Sequence, residues 1–302
     1  VANSFSSDGR MTGDLFAIVV PVFLTAAIGF AWERSGRVFD TDFVTGIVLT
    51  IATPCLVFSS LTRLDVSLET LGAIAGSYLA VLLVLGAAGA VIIRYALKLS
   101  IPSYLPTVMF GNLGNMGIPL AFFAFGDEGL ALAVAAFSVH SVAQFTVGIS
   151  IHAGGVHAKQ LIRTPVLWGV LFSLPFMFTR TALPDWATNT VELLASLVVP
   201  LMLLTLGVSL ARMRIQRLHR SVGFAIARLL GGLAAGIAVA ELFGLDGIVR
   251  SVLILQSTMP VAIFNYVFAL RYKREPQDVA AAIIVSTVIS FATMPLLLIL
   301  VL

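Results

Sequence analysis

The residues best suited to bind a ligand lie in a polar run, FGNLGNMGIPLAFFAF, at 110–125 of an otherwise apolar stretch. Its candidate binding residues are Asn112, Gly114, Asn115, Gly117 and Pro119. A second run, LQSTMPVAIFN at 255–265, supplies the other candidates, Gln256, Thr258, Pro260 and Asn265. Amides and hydroxyls are neutral hydrogen-bonding groups, and unpaired N–H groups at a helix N-terminus attract negative charge. The two runs together predict a site for a small organic anion.

The prolines of the two runs indicate where helices restart. Proline suits the first turn of a helix, because its missing N–H is not needed there. Pro119 and Pro260 therefore predict the beginnings of two half-helices inside apolar segments. Such an interruption persists in a membrane only where protein or a wet cavity satisfies the freed backbone groups. The other interpretation is a close helix-packing face with a simple proline kink.

His140 lies near the centre of another apolar segment, and Gln144 follows one turn later on the same helix face. An ionisable residue at that depth is a candidate for function. Because histidine changes its charge near neutral pH, His140 is a candidate for proton coupling, with Gln144 beside it. The alternative is a neutral histidine that hydrogen-bonds to a neighbouring helix.

Arg228 is a basic residue inside the predicted span 221–243. It follows Arg220 by eight residues, about 12 Å along a helix at 1.5 Å per residue. Its long side chain is predicted to reach back to the membrane surface and contact lipid. The sharper alternative is pairing with a substrate carboxylate.

The composition requires elements that cross a membrane. Hydrophobic residues make up 59% of the 302 residues and charged residues 11%, whereas soluble domains carry about 25% charged residues. The apolar runs reach the length of about 20 residues that a membrane helix needs, and they lack the alternation of a barrel. The single cysteine, Cys55, excludes an intramolecular disulfide. We expect no cofactor and no metal site.

Apolar runs between charged or turn-forming breaks predict an all-α membrane protein with ten transmembrane helices. The predicted spans are 14–32, 43–61, 71–97, 106–125, 129–151, 165–179, 191–210, 221–243, 251–270 and 279–302. Thirteen Lys and Arg residues fall on one side of this arrangement and four on the other. Because basic residues mark cytoplasmic loops, both termini are predicted to lie outside the cytoplasm.

An internal repeat divides the chain. Pro54 and Pro200 are 146 residues apart, as are Phe145 and Phe291, and Pro119 and Pro260 are 141 apart. The predicted regions are a polar tail (1–13), a first five-helix repeat (14–151), a cytoplasmic linker (152–164) and a second repeat (165–302). Five spans are an odd number, so the second repeat is inverted, as in secondary transporters.

The run GNLGNMGIPLAFFAFGDEGL, with TPCLVFSSL and STMPVAIFNYVFALRYKREPQDVAAAIIVSTVISFATMPL, resembles the auxin efflux carrier family. The resemblance implies kinship with bile-acid sodium symporters and PIN-type carriers. It also implies a scaffold of spans 1, 2, 6 and 7 and a mobile core in which broken helices 4 and 9 cross. Asn112, Asn115, Pro119 and Pro260 match the family's polar breaks. The acidic residue of the sodium-coupled relatives is absent from LQSTMP, which makes sodium a less favoured coupling ion than the proton.

These observations predict a secondary transporter for a carboxylate such as malonate, malate or an auxin-like acid, working by alternating access. The alternatives are a sodium-coupled bile-acid-type symporter, an anion channel and an intramembrane enzyme using His140. No zinc-type HExxH motif, P-loop or nucleophile motif supports an enzyme or an ATP-driven pump. We expect localisation in the bacterial cytoplasmic membrane, contact with lipid, no nucleic-acid partner, and an assembly compatible with a homodimer.

Overall fold

The computed structural model of the protein describes residues 8–63, 67–155, 164–179, 181, 183–213 and 218–301. Over these residues the chain is helical and forms no strand. The only β-type pairing recorded there is an isolated antiparallel bridge between Gly111 and Val261. Most of the predicted linker, and the first seven residues of the predicted tail, lie outside the described residues. The rest of that tail, from Asp8, is already helical.

Fourteen α-helices follow one another in this part of the chain, several joined by wider π-helical turns. They are α1 (Asp8–Arg34), α2 (Thr41–Ile47), α3 (Thr53–Arg63), α4 (Leu68–Val91), α5 (Ile101–Met109), α6 (Ile118–Ala143), α7 (Ile149–Ala153), α8 (Pro165–Thr179), α9 (Asp185–Ser196), α10 (Val198–Arg212), α11 (Leu218–Leu242), α12 (Gly247–Ser257), α13 (Ile263–Tyr272) and α14 (Pro276–Val301). The π-helical turns are Val48–Ala52, Ile92–Ala96, Leu113–Gly117 and Gln144–Gly148.

Local sequence sets several of these boundaries. The Asp40 carboxylate accepts a hydrogen bond from the Phe43 N–H at 2.9 Å and starts α2, as an N-cap residue does. The helical stretch that includes α6 bends at Gly126, where φ is 64° and ψ is −151°. Because a side chain is strained at that positive φ, glycine allows the chain to turn there. The turn falls between the fourth and fifth predicted spans.

Six helical segments of the described chain are long and apolar enough to cross a membrane. They are Thr41–Thr62, Glu69–Ala96, Leu113–Ala153, Asp185–Arg212, Arg220–Leu242 and Pro276–Val301. Two further apolar helices, α8 and α12, are shorter. Large apolar side chains also cover much of the outer surface, among them Leu24, Ile28 and Phe172, exposed by 58%, 58% and 63%. Such a surface fits lipid rather than water, so the chain is an integral membrane protein.

The helices pack in two groups. In the first group α1 and α2 pack on α10, and α3 packs against both α8 and α9. Small residues bring α1 and α10 together, since a Cβ added at Gly207 would overlap the Ala26 carbonyl oxygen. The Arg212 guanidinium also binds the Glu33 carboxylate, with Nε 2.9 Å from Oε1.

The second group consists of α4–α7 and α11–α14. Here α11 packs on α14, α12 and α4, while α6 packs on α4 and α12. The two groups meet where α6 touches α1 and α3, and where the π turn Leu113–Gly117 touches α10. The polar run 110–125 therefore lies partly at the boundary between the groups.

Candidate functional site

Two apolar segments are interrupted within the second group. The first helix, α5, ends at Met109, and a π turn that begins at Leu113 leads into α6. The second, α12, ends at Ser257, and α13 begins only at Ile263. The interruptions were predicted, and Pro119 lies in the first turn of α6 as expected, but the predicted helix start at Pro260 was wrong. The helical backbone resumes at Leu113, before Pro119, and Pro260 lies in the non-helical link before Ile263.

The two non-helical links pair with each other. The Asn112 N–H donates to the Pro260 carbonyl oxygen at 2.6 Å, and the Ala262 N–H donates to the Phe110 carbonyl oxygen at 3.0 Å. The Gly111–Val261 bridge lies between these two bonds. Backbone groups freed by the interruptions thus satisfy one another, which is what burial in an apolar surrounding requires. This pairing explains why Pro260 cannot start α13, because its carbonyl belongs to the link.

The C-terminal ends of α5 and α12 converge on Arg228. Its Nε donates to the Met259 carbonyl oxygen at 3.0 Å, and Nη2 donates to the Ser257 carbonyl oxygen at 2.9 Å. Its Nη1 donates to the Val108 carbonyl oxygen at 3.2 Å, with that of Met109 at 3.5 Å. Carbonyl oxygens at a helix C-terminus lack partners within the helix and carry partial negative charge. Arg228 supplies both hydrogen bonds and a positive charge at these two ends.

The expected reach of Arg228 to the membrane surface is wrong, and contact with lipid is excluded with it. The residue is 0% exposed and is the largest fully buried side chain of the described chain. Its guanidinium lies so close to Gly111 that an added Cβ there would overlap Nη2. The spacing from Arg220 could not show that carbonyl partners lie beside the arginine in α11.

Asn265 stabilises the same end of α5 from α13. Its Nδ2 donates to the Pro106 carbonyl oxygen at 3.0 Å and to the Phe110 carbonyl oxygen at 3.2 Å. Its Oδ1 accepts a bond of 3.4 Å from Gln144. Asn265 is 0% and Gln144 3% exposed. Three of the four hydrogen-bonding capacities of the Asn265 amide are therefore used to join α13 to its neighbours.

His140 packs beside the point where the two paired links meet, which we call the crossing. Its Nδ1 is 3.2 Å from the Tyr78 hydroxyl, and its ring stands edge-on to Phe110 with centroids 5.5 Å apart. Tyr78 interacts in turn with Arg228. The structure therefore places His140 in a buried chain that leads through Tyr78 to Arg228.

The N-terminal ends of the resumed helices have a different environment. Asn112 caps the first, because its Oδ1 accepts the Asn115 N–H at 3.3 Å. Asn115 itself is partly exposed. The second, α13, begins at Ile263 with no side-chain cap. The first N–H groups of a helix have no acceptor within it, so both beginnings offer donors to a ligand.

A cavity of about 430 Å³ reaches both of these beginnings. It lies between the two helix groups, and its wall from the second group includes Asn115, Phe145, Ile263 and Phe264. Its wall from the first group comes from α2, α8, α10 and their flanking turns: Thr41, Asp42, Thr45, Gly46, Val48, Leu49, Thr50, Thr164, Pro165, Val166, Met202, Thr205 and Ser209. The volume suits a small molecule.

A second cavity, of about 660 Å³, enters the same boundary from the opposite end of α2–α3 and α9–α10. It is lined by Leu56, Ser59, Ser60, Phe122, Asp127, Leu130, Glu192, Ala195, Ser196, Val199 and Pro200. On α2–α3 the first lining ends at Thr50 and the second begins at Leu56. The two linings are thus separated along that segment by five residues, about one and a half helical turns.

The predicted glycines Gly114 and Gly117 pack closely against other side chains and leave no room for a ligand at their Cα atoms. A Cβ added at Gly117 would overlap the Gln256 side-chain oxygen. A Cβ added at Gly114 would come within 3.1 Å of the Phe137 ring and 3.3 Å of the Met202 methyl. These glycines therefore permit close helix packing, as the alternative interpretation expected, and only Asn115 of the predicted residues lines the first cavity.

Two buried amides near the crossing have unused polar atoms. Both side-chain polar atoms of Gln256, and Nδ2 of Asn112, have no hydrogen-bond partner among the described residues. The hydroxyl of Thr258 instead donates to the Ile254 carbonyl oxygen at 2.7 Å. Unsatisfied buried amides are costly, so Asn112 and Gln256 are suited to a partner that the protein chain does not itself supply.

Sequence reasoning missed most of the cavity's first-group wall. Its polar members include Thr45, Thr205 and Ser209, and its only charged member is Asp42. Asp42 and Ser209 lie near helix ends, where polar side chains are ordinary, and Thr205 is a single hydroxyl inside an apolar helix. The pattern along α2 or α10 alone gives no signal that they face a shared cavity.

Comparison with known proteins agrees with this architecture. A family described as membrane transport protein matches residues 14–158 and 150–298 of the chain. An uncharacterized transporter, MJ1031, from Methanocaldococcus jannaschii is similar to the chain, with 25% identity over 135 residues. That similarity spans 44% of this chain and 44% of the archaeal protein.

Proposed function

Because the chain belongs to the membrane transport protein family, whose members include the auxin efflux carriers that it resembles, we propose that it is a secondary carrier for a small organic anion. The observation that carries this proposal is the first cavity, which reaches Asn115 and Ile263 at the beginnings of both resumed helices. We place the substrate there, in contact with the side-chain amide of Asn115 and the first N–H groups of α13.

The charge of this location favours an anion. Each helix N-terminus carries about half a positive charge, and two of them border the cavity. The opposite, C-terminal ends of α5 and α12 are bound to Arg228 through their carbonyl oxygens. The negative helix ends are thereby neutralised while the positive ends stay available. A carboxylate such as malonate, malate or an auxin-like acid matches this arrangement in charge, and its size fits the cavity.

We propose alternating access as the mechanism. In this mechanism the helices belong to ten spans arranged as two inverted repeats, at 14–151 and 165–302. The first helix group acts as the scaffold and the second as the mobile core that carries the crossing. The two cavities support this, since they enter one boundary from opposite ends and stop within a short distance of each other. A small displacement of one group along the other would exchange which cavity reaches Asn115.

The membrane orientation is part of the proposal. Basic residues mark the ends of the molecule near the α1–α2 connection and the α10–α11 connection, so the first cavity opens to the cytoplasm. Both termini then lie outside the cytoplasm of a bacterial inner membrane. A reporter fused to the C-terminus should be active outside the cytoplasm, and a cytoplasmic signal would contradict the orientation.

A second candidate, a carrier for an organic cation, has one observation in its favour. The charged residues that line the two cavities are all carboxylates, Asp42 in the first and Asp127 and Glu192 in the second. Asp42 lies in the first turn of α2 and Asp127 follows the bend at Gly126, whereas the inner site of the first cavity is formed by Asn115 and the beginning of α13. We therefore assign the anion to the inner site and keep the cation as the alternative that charge substitution must exclude.

Transport by purified protein in liposomes tests the proposal. We expect saturable uptake of a labelled carboxylate and acceleration of that uptake by unlabelled carboxylate inside, which is counterflow. Flux that rises linearly with concentration would indicate a channel, and conversion of the substrate would indicate an enzyme. Saturable uptake of organic amines but not of carboxylates would instead support the second candidate.

A further inference from the structure

The C-terminal ends of α5 and α12 present several carbonyl oxygens to one point inside the protein. Those of Val108, Ser257 and Met259 lie 2.9–3.2 Å from Arg228 nitrogens. A cluster of carbonyl oxygens from two helix C-termini is the environment in which a protein binds a monovalent cation. Here the position is held by a guanidinium that belongs to the chain.

No carboxylate shares this position. Among the described residues, Arg228 forms no ion pair. It donates hydrogen bonds to backbone carbonyls, and the Tyr78 hydroxyl is a further polar neighbour. A fully buried charge is costly unless its surroundings compensate it. The helix ends contribute carbonyl acceptors and partial negative charge to this compensation, so the arginine and the two interrupted helices depend on each other.

Two glycines allow the backbone to come close to Arg228. Gly111 leaves the space that Nη2 occupies, and a Cβ on Gly232, one turn along α11, would overlap the Ser257 carbonyl oxygen. Both glycines let backbone approach the guanidinium closely. This close fit on two sides distinguishes Arg228 from an arginine that is merely enclosed by packing.

We propose that Arg228 is a tethered cation, which fills at the crossing the position that a bound inorganic cation would otherwise have to fill. It holds α5 and α12 together and makes transport independent of sodium. The first claim, that Arg228 holds α5 and α12 together, is the structural part and concerns the crossing alone. The second claim, that transport is independent of sodium, is the sodium part and rests on the proposed carrier function. Removing the guanidinium should therefore create a site for a small soluble cation.

Chemical rescue tests the structural part without any transport assay. Arg228→Ala should lower the unfolding temperature of the protein in detergent, and guanidinium or ethylguanidinium at millimolar concentration should raise it again. Urea has a similar planar shape but no charge, so it serves as the matched ligand control. Arg212→Ala is the matched protein control, because Arg212 is partly exposed and paired with Glu33.

The expected result is rescue of Arg228→Ala by guanidinium alone, with no stabilisation of the unchanged protein or of Arg212→Ala. Equal effects of urea and guanidinium, or stability of Arg228→Ala equal to that of the unchanged protein, would overturn the proposal. If Arg228→Ala cannot be purified, Arg228→Lys keeps the test open. Lysine retains the charge without the planar fork, so it should fold with intermediate stability, whereas Arg228→Met should be less stable than Arg228→Lys. Equal stability of those two variants would overturn the proposal.

The sodium part has its own readout. Uptake by the unchanged protein should be the same in sodium and in choline, and uptake by Arg228→Lys should also be insensitive to sodium. A sodium requirement of the unchanged protein would overturn the sodium part while leaving guanidinium rescue interpretable. Absence of all carboxylate uptake, together with successful guanidinium rescue, would instead indicate that the proposed function is wrong and the structural assignment correct.

Discussion

The interrupted helices expose two kinds of ends at one crossing, and the protein treats them differently. The C-terminal ends, at Met109 and Ser257, meet a fully buried guanidinium and the amide of Asn265. The N-terminal ends, at Leu113 and Ile263, meet one neutral cap, from Asn112, and a cavity. Since unpaired backbone groups are costly in both places, the contrast shows where the chain has supplied its own partner and where it has left room for another molecule.

This contrast assigns different roles to residues of the same type. Asn265 and Asn115 have identical side chains, but the first is 0% exposed and bonded to two carbonyl oxygens. The second is partly exposed and lines the cavity. Replacement of Asn265 should therefore lower the stability of the protein, whereas replacement of Asn115 should weaken ligand binding.

Gly111→Ala should destabilise the protein most. The new Cβ would overlap Nη2 of Arg228, and the guanidinium would have to leave some of its carbonyl partners. Overpacking costs about 1–3 kcal/mol, and each carbonyl left unpaired about 1–3 kcal/mol more. We expect a loss of about 3 kcal/mol or more, seen as a lower unfolding temperature in detergent.

The matched control for this substitution is Gly231→Ala on α11. The nearest atom to a Cβ there is a Leu85 methyl at 3.5 Å, an ordinary contact, so little change is expected. In an Arg228→Ala background, Gly111→Ala should cost less, because the overlapping group is gone. Undiminished destabilisation in that background would show that the close fit to Arg228 is not the reason.

Asn265→Ala should have the next largest effect. Its two carbonyl partners keep other donors, since the Phe110 N–H reaches the Pro106 carbonyl oxygen and the Ala262 N–H reaches that of Phe110. The expected cost is therefore about 1–2 kcal/mol, measured by thermal unfolding. Asn115→Ala is the control and should leave the unfolding temperature nearly unchanged. Equal losses in the two variants would remove the distinction between the two ends.

Much of this arrangement could be predicted from the sequence, because helix-breaking residues are unusual in apolar segments. The glycines, amides and proline of 110–125, and Pro260 in the later run, located both interruptions. The sites at which the helices resume were less predictable, because Leu113 and Ile263 carry no distinctive start signal. Backbone pairing between the two links, as in the bond from Asn112 to Pro260, decides them, and that is a tertiary effect.

The role of Arg228 was beyond the sequence for a related reason. Its spacing from Arg220 fits a side chain that extends back to the membrane surface as well as it fits one that stays buried in the protein. Only the carbonyl oxygens of Ser257 and Met259, brought to α11 by another interrupted helix, distinguish the two interpretations. The residues that line the cavity could not be predicted for the same reason, because Thr205 and Asp42 come to line one cavity with Asn115 only after folding.

His140→Gln should have the smallest effect on stability, and it tests whether His140 belongs to the functional site. His140 lines neither of the two cavities, and its polar neighbours include the Tyr78 hydroxyl and the Gln144 side chain. We expect a stability loss of about 1 kcal/mol or less and an unchanged pH profile of carboxylate uptake. Tyr78→Phe should behave in the same way. A pH profile that becomes flat in His140→Gln would restore the original expectation that this histidine couples transport to protons.

The most direct measurement compares carboxylate affinity in Asn115→Ala and Asn115→Asp, with the ligand chosen from a panel of mono- and dicarboxylates by thermal shift. Alanine removes a hydrogen bond of about 1 kcal/mol, which weakens binding about fivefold. Aspartate has nearly the same volume but sets a negative charge beside the ligand. Its loss should be about a hundredfold or more, with partial recovery at low pH as the aspartate takes up a proton. Equal losses in both variants at every pH, or tighter binding of organic amines to Asn115→Asp, would contradict an anion site at the N-terminal ends.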